Sequence, residues 1–184
     1  GRCTMANVQH LHCLLEEGIT SWNSWRDEHP EIHPDLNGAD LHGRDFRNAN
    51  LTGADLQGAD LHDANFSHSF FFGANLERAN LARGIFEGAH FIGAVLKEAS
   101  LAQADFSYSL FLMAYLKNSD CEEANFQDAD LRDADFQNAD LTKTQFQRAD
   151  LTGCNFQNAN IDNANFEQCI GLHGLEKTVS VNGR

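Results

Sequence analysis

The side chains with most chemical capacity in this 184-residue chain are Asp40, His42, Asp60, His62 and Asp63. Imidazole nitrogens and carboxylate oxygens are the usual ligands of divalent transition metals. Spaced by twenty, the two histidines would stack on one face if the chain returned on itself at that interval. Exposed His and Asp are ordinarily just solvated, so no metal is expected. The five cysteines, Cys3, Cys13, Cys121, Cys154 and Cys169, are odd in number and contain no CxxC pair. Reduced thiols in a cytoplasmic protein follow from that pattern. No nucleophile–base arrangement, Gly-rich phosphate loop or zinc spacing occurs. Neither a catalytic residue nor a cofactor is expected, and the chain does not read as an enzyme.

Charge narrows the partners. Thirteen Lys and Arg against 27 Asp and Glu give a formal net charge of −14. Such a surface repels nucleic-acid phosphates, whose binding needs a concentrated basic patch. It repels anionic membranes too, and no apolar run is long enough for a transmembrane helix. Basic proteins and cations are what it attracts.

What positions these residues is a repeat. From Leu36 to Phe166 every fifth residue is Leu or Phe, with only Cys121 and Ile161 departing, through 27 positions without an insertion. Two residues earlier stands a small residue, usually Ala, and between the two lies mostly Asp or Asn, as in Ala39-Asp40-Leu41. A period of five fits neither a helix nor a strand. It requires a corner every five residues with two side chains inward at each. Phe46, Phe66, Phe86, Phe106, Phe126, Phe146 and Phe166 recur at twenty, which makes four corners to a coil.

With this A(D/N)LXX motif and its unbroken phase over residues 34–170, the chain resembles the pentapeptide-repeat family. The resemblance implies an all-β fold, a right-handed quadrilateral β-helix of about seven coils, with the Leu/Phe and Ala places inside. A Phe ladder should fill one edge of the interior and Leu-dominated ladders the others. Cys121, Cys154 and Cys169 fall at inward places, where buried thiols are inert. Asp pairs at a spacing of twenty, such as Asp40/Asp60, Asp120/Asp140 and Asp130/Asp150, should put like charges side by side at a cost in stability.

A solenoid needs caps. Residues 5–30 read as a helical cap, with Asn7 as N-cap, Gly18 as a stop, and Val8, Leu11, Leu14 and Leu15 on one apolar face. Trp22 and Trp25 should close the first coil over Leu36, Leu41 and Phe46. The segment Leu14 to Leu41 resembles the helical leader of cyanobacterial members. At the other end, residues 171–184 read as a C-terminal cap and frayed tail, with Ile170, Leu172 and Leu175 folding over the last coil.

One departure from the motif points to function. Its Asp/Asn place becomes Phe70, Ile85, His90, Val95, Leu110 and Tyr115 in the middle of the rod. Phe70, Phe72, His90, Ile92, Leu110, Leu112 and Met113 should form an exposed apolar wall across three coils, with Val95 and Tyr115 round the adjacent corner. A patch of that kind usually means contact. The expected function is a noncatalytic scaffold docking an unidentified protein, or a second copy of itself as a homodimer. The alternative, which the family resemblance implies, is an acidic mimic of duplex DNA that inhibits a DNA-binding protein such as gyrase.

Overall fold

In the computed structural model, which describes residues 7–172, the chain from Asp35 onward winds into a four-sided parallel β-helix. Every bridge joins residues twenty apart, from Asp35 with Asp55 through to Asp150 with Ile170. Leu36 N donates to Asp55 O at 2.8 Å, and Asp55 N donates back to Pro34 O at 2.8 Å. Each face of each coil repeats this exchange, so stacked coils satisfy one another's backbone groups.

The corners explain the period. All but the one at Arg44 are closed by a bond from the Ala-place amide to the carbonyl three residues earlier, as from Ala39 N to Leu36 O at 3.0 Å. The residue just before that amide sits in the left-handed region at every corner. Nineteen of these residues are not glycine, among them Arg83 (φ 57°), Tyr108 (φ 57°) and Met113 (φ 55°). Each costs roughly 1–2 kcal/mol relative to ordinary backbone. None is β-branched, because a branched Cβ there is the worst case.

The Asp/Asn place serves the same corner. Its Oδ1 accepts the amide two residues on: Asp55 from Gln57 at 3.1 Å, Asp105 from Ser107 at 2.9 Å, Asn165 from Glu167 at 2.9 Å. Asp and Asn interchange along the rod because both offer this oxygen. Like charges do face each other at Asp120 and Asp140. The turn bond is what each carboxylate gives in return.

Inside, the Leu/Phe and Ala places are buried from Leu36 to Leu151 except at Arg44, and Phe106 stacks between Phe86 and Phe126 with both centroids at 5.1 Å. The expected single Phe ladder is joined by a second. Phe71, Phe91 and Phe111 stack at 4.7 and 4.6 Å and meet the first edge-on, as Phe106 meets Phe111 at 84°. Where Ser replaces Ala, the hydroxyl is satisfied locally, Ser69 and Ser109 each donating to the carbonyl three residues back. Gly84 takes an Ala place, and the Phe86 ring fills the space beside it, 2.5 Å from where a Cβ would lie.

Helices α1 (Val8–His12) and α2 (Ile19–Glu28), joined through a π-helical turn at Cys13–Glu17 and Gly18, lie across the first coil. Asn7 caps α1, accepting from Gln9 N and His10 N. Trp22 is fully buried in the cluster with Leu36, Leu41 and Phe46, and its Nε1 donates to Asn50 O at 2.8 Å. The Asn23 carboxamide donates to Asn48 O at 2.9 Å and accepts from Asn50 N at 2.8 Å, the two bonds a preceding coil would supply. Arg26, itself buried, donates to Thr52 O, and His10 Nδ1 accepts from Asp35 N at 3.0 Å. Burial pulls the His10 imidazole below its ordinary range, which keeps it the neutral acceptor this bond needs.

Two expectations at the ends fail. Val8 is 79% exposed; the apolar contact of this segment runs through Leu11, Cys13, Leu14 and Leu15. Ile170 does not fold over the last coil. It occupies the outward bridge place beside Asp150 and is 60% exposed, while Leu172 packs against the core. Leu175, with most of the expected C-terminal cap, lies outside the described residues.

Two outcomes follow from these bonds. Asp140 accepts both Thr142 N (3.0 Å) and Thr142 Oγ1 (2.6 Å). Asp140→Asn keeps the oxygen and relieves the Asp120 repulsion, so denaturant melts should show no loss, whereas Asp140→Ala should lose about 1 kcal/mol. Asn23→Leu should lose roughly 1–3 kcal/mol by orphaning two backbone groups. Hydrogen exchange should then quicken in the first coil while the middle coils stay protected. Uniform exchange would mean that Asn23 does not seal the rod's edge.

Candidate interaction surface

The middle coils carry the site. Phe70, His90 and Leu110 occupy successive outward places of one face, bridged in order, with Asn50 before them and Asp130 after. Phe72, Ile92 and Leu112 follow at the adjoining corner, their carbonyls accepting from Gly53, Gly73 and Gly93. Val95 and Tyr115 are bridged on the next face. The twenty-residue register therefore gathers all the residues singled out from the sequence.

They are less exposed than expected. Phe70, Phe72, His90, Ile92, Val95, Leu110 and Leu112 are half-buried; Met113 and Tyr115 are exposed, each 54%. The cause is mutual packing. Phe70 lies 6.0 Å from Phe72, and the His90 ring is 5.0 Å from Phe70 and 5.4 Å from Phe72. Behind them stands the second Phe ladder, so this part of the rod is apolar on both sides of its backbone. Tyr108 and Ile85, 62% and 42% exposed on the neighbouring face, extend the apolar surface beyond the expected set. Tyr108 shares the left-handed corner place with Met113, but it lies between Ser107 and Ser109, so no apolar run in the sequence marks it.

The wall lacks the motif's turn bond. Phe70, His90 and Leu110 present no side-chain oxygen to the amides of Phe72, Ile92 and Leu112. His90 Nδ1 is itself buried without a partner. Burial first, then the nearby His68, lowers the His90 pKa, so the ring is the neutral, weakly polar member of an apolar set.

The other candidates are locally satisfied. His42 and His62 do stack, at 4.9 Å and 2°, on the face opposite the wall. Each Nδ1 is bonded to its own carboxylate, His42 to Asp40 and His62 to Asp60. The Asp40 hydrogen bond raises the His42 pKa. Asp63 is held by Arg83 at 3.0 Å. Cys121 and Cys154 are pushed up to about 12 by burial, which leaves them unreactive at neutral pH. A shallow depression lined by Glu123, Lys143, Gln145 and Asn163 opens to solvent and contains no nucleophile–base pair. Among the described residues no helix is long and apolar enough to cross a membrane.

Two family models match the sequence: "Pentapeptide repeats (8 copies)" over residues 35–73 and "Pentapeptide repeat region" over residues 85–166. No curated protein matches it. Among solved structures, a pentapeptide repeat protein from the thylakoid lumen of Arabidopsis thaliana aligns at 21% identity with a TM-score of 0.50, covering 56% of this chain and 69% of that one. Full-length QnrB1, a plasmid-mediated fluoroquinolone resistance protein, aligns at 18% identity with a TM-score of 0.47, covering 66% and 78%. HetL, a pentapeptide repeat protein involved in heterocyst differentiation regulation in the cyanobacterium Nostoc sp. strain PCC 7120, aligns at 20% identity with a TM-score of 0.26, covering 74% and 89%. The first shows the fold; the other two superpose too loosely to add to it. By its repeats, which the two family models match over most of its length, and by its four-sided parallel β-helix, this chain belongs to the pentapeptide-repeat family.

Proposed function

We propose that the chain is a noncatalytic scaffold that docks a protein on the apolar wall of its middle coils. One observation carries the reading: at Phe70, His90 and Leu110, stacked on one face, the rod forgoes the turn bond that its Asp and Asn places make. Each such bond is worth roughly 0.5–1.5 kcal/mol. Half-buried rings recover part of that, yet they leave an apolar face in water for which folding supplies no reason. In this reading residues 5–30 cap the rod, residues 34–170 present the surface, and the unpaired thiols of Cys13, Cys121, Cys154 and Cys169 suit the cytoplasm.

The competing reading is an acidic rod that imitates duplex DNA toward an enzyme such as gyrase. It would need continuous negative charge. The wall face breaks that continuity, since residues 49–53, 69–73, 89–93 and 109–113 include no Asp, Glu, Lys or Arg.

Phe72→Asp with Leu112→Asp tests the proposal. Both side chains stand outside the coil, so circular dichroism and melting should change little. Sedimentation equilibrium and recovery of partners from source-cell extract should show an association that the double variant loses. The same mass and the same partners for both proteins would remove the wall as the site. Stoichiometric inhibition of purified gyrase by both proteins would favour the DNA-mimic reading.

A further inference from the structure

We infer that the occupant of the wall is a basic amphipathic helix of a partner protein, not a second copy of this chain. The inference rests on the docking reading above and goes further, to the partner's chemistry. Charge along the rod is its main support. Residues 64–119 hold four acidic side chains, Glu77, Glu87, Glu98 and Asp105, and four basic ones, Arg78, Arg83, Lys97 and Lys117. Their net charge is zero, so the whole −14 belongs to the two flanks. Residues 1–63 contribute 11 acids against 4 bases, and residues 120–184 contribute 12 against 5. The wall is thus the neutral middle of a rod that is acidic at both ends.

Size then separates the two occupants. Coils stack at about 4.8 Å, so the three apolar coils stand roughly 14 Å tall, or ~19 Å with the uncharged coil of Asn50 and Thr52. A face this short cannot supply the ~800 Å² per partner of a standard stable interface. A second copy would have to recruit the flanks, setting one net acidic flank against another in either orientation. A basic partner meets the same flanks as attraction. On the wall face itself the border is Asp130, Asp133 and Asp150, with Arg132 already paired to Asp130 at 2.7 Å.

Geometry selects a helix. Coil-to-coil bonds already use the ladder N–H and C=O groups of this face, as between Phe71 N and His90 O at 2.7 Å, which leaves no free edge for an added strand. What remains is side-chain contact with an apolar stripe. A helix is about 10–12 Å across and rises 1.5 Å per residue, so about thirteen residues match the uncharged height. Lysines or arginines at the end of the helix beyond Leu110 and Met113 would lie over the acidic coils of Asp130, Asp133 and Asp150.

The test uses three labelled fourteen-residue peptides in fluorescence anisotropy: Leu and Lys at amphipathic helical spacing, Leu and Glu in the same pattern, and the Leu/Lys composition scrambled. The amphipathic Leu/Lys peptide should bind the wild-type chain and the other two should not. Binding should fall at least tenfold in Phe72→Asp with Leu112→Asp, although that variant is more acidic. Equal or tighter binding by the variant would show attraction by charge alone and would overturn the inference. Phe72→Ser with Leu112→Ser, which leaves charge unchanged, gives the same reading if the Asp pair does not fold. Sedimentation equilibrium on the same proteins separates the two levels. A wild-type dimer lost in the variant, with no peptide bound, overturns the helix and keeps the docking surface. Monomers throughout with no peptide bound overturn both.

Discussion

The rod depends on a corner that turns through left-handed backbone once every five residues. Because that conformation recurs at every corner, the chain advances by the same step each time, and no insertion interrupts it between Leu36 and Phe166. Constant steps hold the twenty-residue register, and the register turns a linear sequence into columns. Phe stacks on Phe inside, Asp and Asn stand over Asp and Asn outside, and substitutions twenty apart accumulate on one face. The strain of nineteen non-glycine residues at positive φ is tolerated because the core and the coil-to-coil bonds on either side fix each corner.

The same columns link stability to the candidate site. Phe71, Phe91 and Phe111 thicken the core just where Phe70, His90 and Leu110 replace the polar column outside. Inner and outer aromatic layers share one stretch of backbone, so the wall is backed by a rigid part of the molecule. Rigidity favours binding, since little conformational entropy is left to lose on contact. The ends behave differently. The N-terminal coil is sealed by side chains that imitate backbone, Asn23 above all, whereas Ile161 and Phe166 of the last coil stay half-buried among the described residues.

The five-residue period and the split between inward and outward places were legible because large and small apolar residues alternate in fixed phase. That also placed Phe70, Phe72, Ile92, Leu110 and Leu112 on one wall. The left-handed corner was not legible as such, because residues as different as Asp63, Arg83 and Met113 share it with glycine, and the lack of β-branched residues is a faint mark. The role of the Asp/Asn place was read as a charge penalty because the turn bond it makes is invisible without backbone geometry. The half-burial of the wall was missed for a related reason. Sequence gives the direction of a side chain but not how far neighbouring rings such as Phe70, Phe72 and His90 cover each other. Ile170 misled because its apolar character suggested a cap, while its phase assigns it to the outward column.

The claim that register alone assembles the wall is tested most directly by cross-linking. Parallel strands lie about 4.8 Å apart, inside the usual Cα separation of a disulfide, about 4.4–6.8 Å. Phe70→Cys with His90→Cys, made without Cys3 and Cys13 and oxidised mildly, should give an intramolecular bridge identifiable by peptide mass. Phe70→Cys with Val95→Cys, which lies round a corner, should stay reduced. Bridging in the second pair and not the first would contradict the twenty-residue register and, with it, the wall.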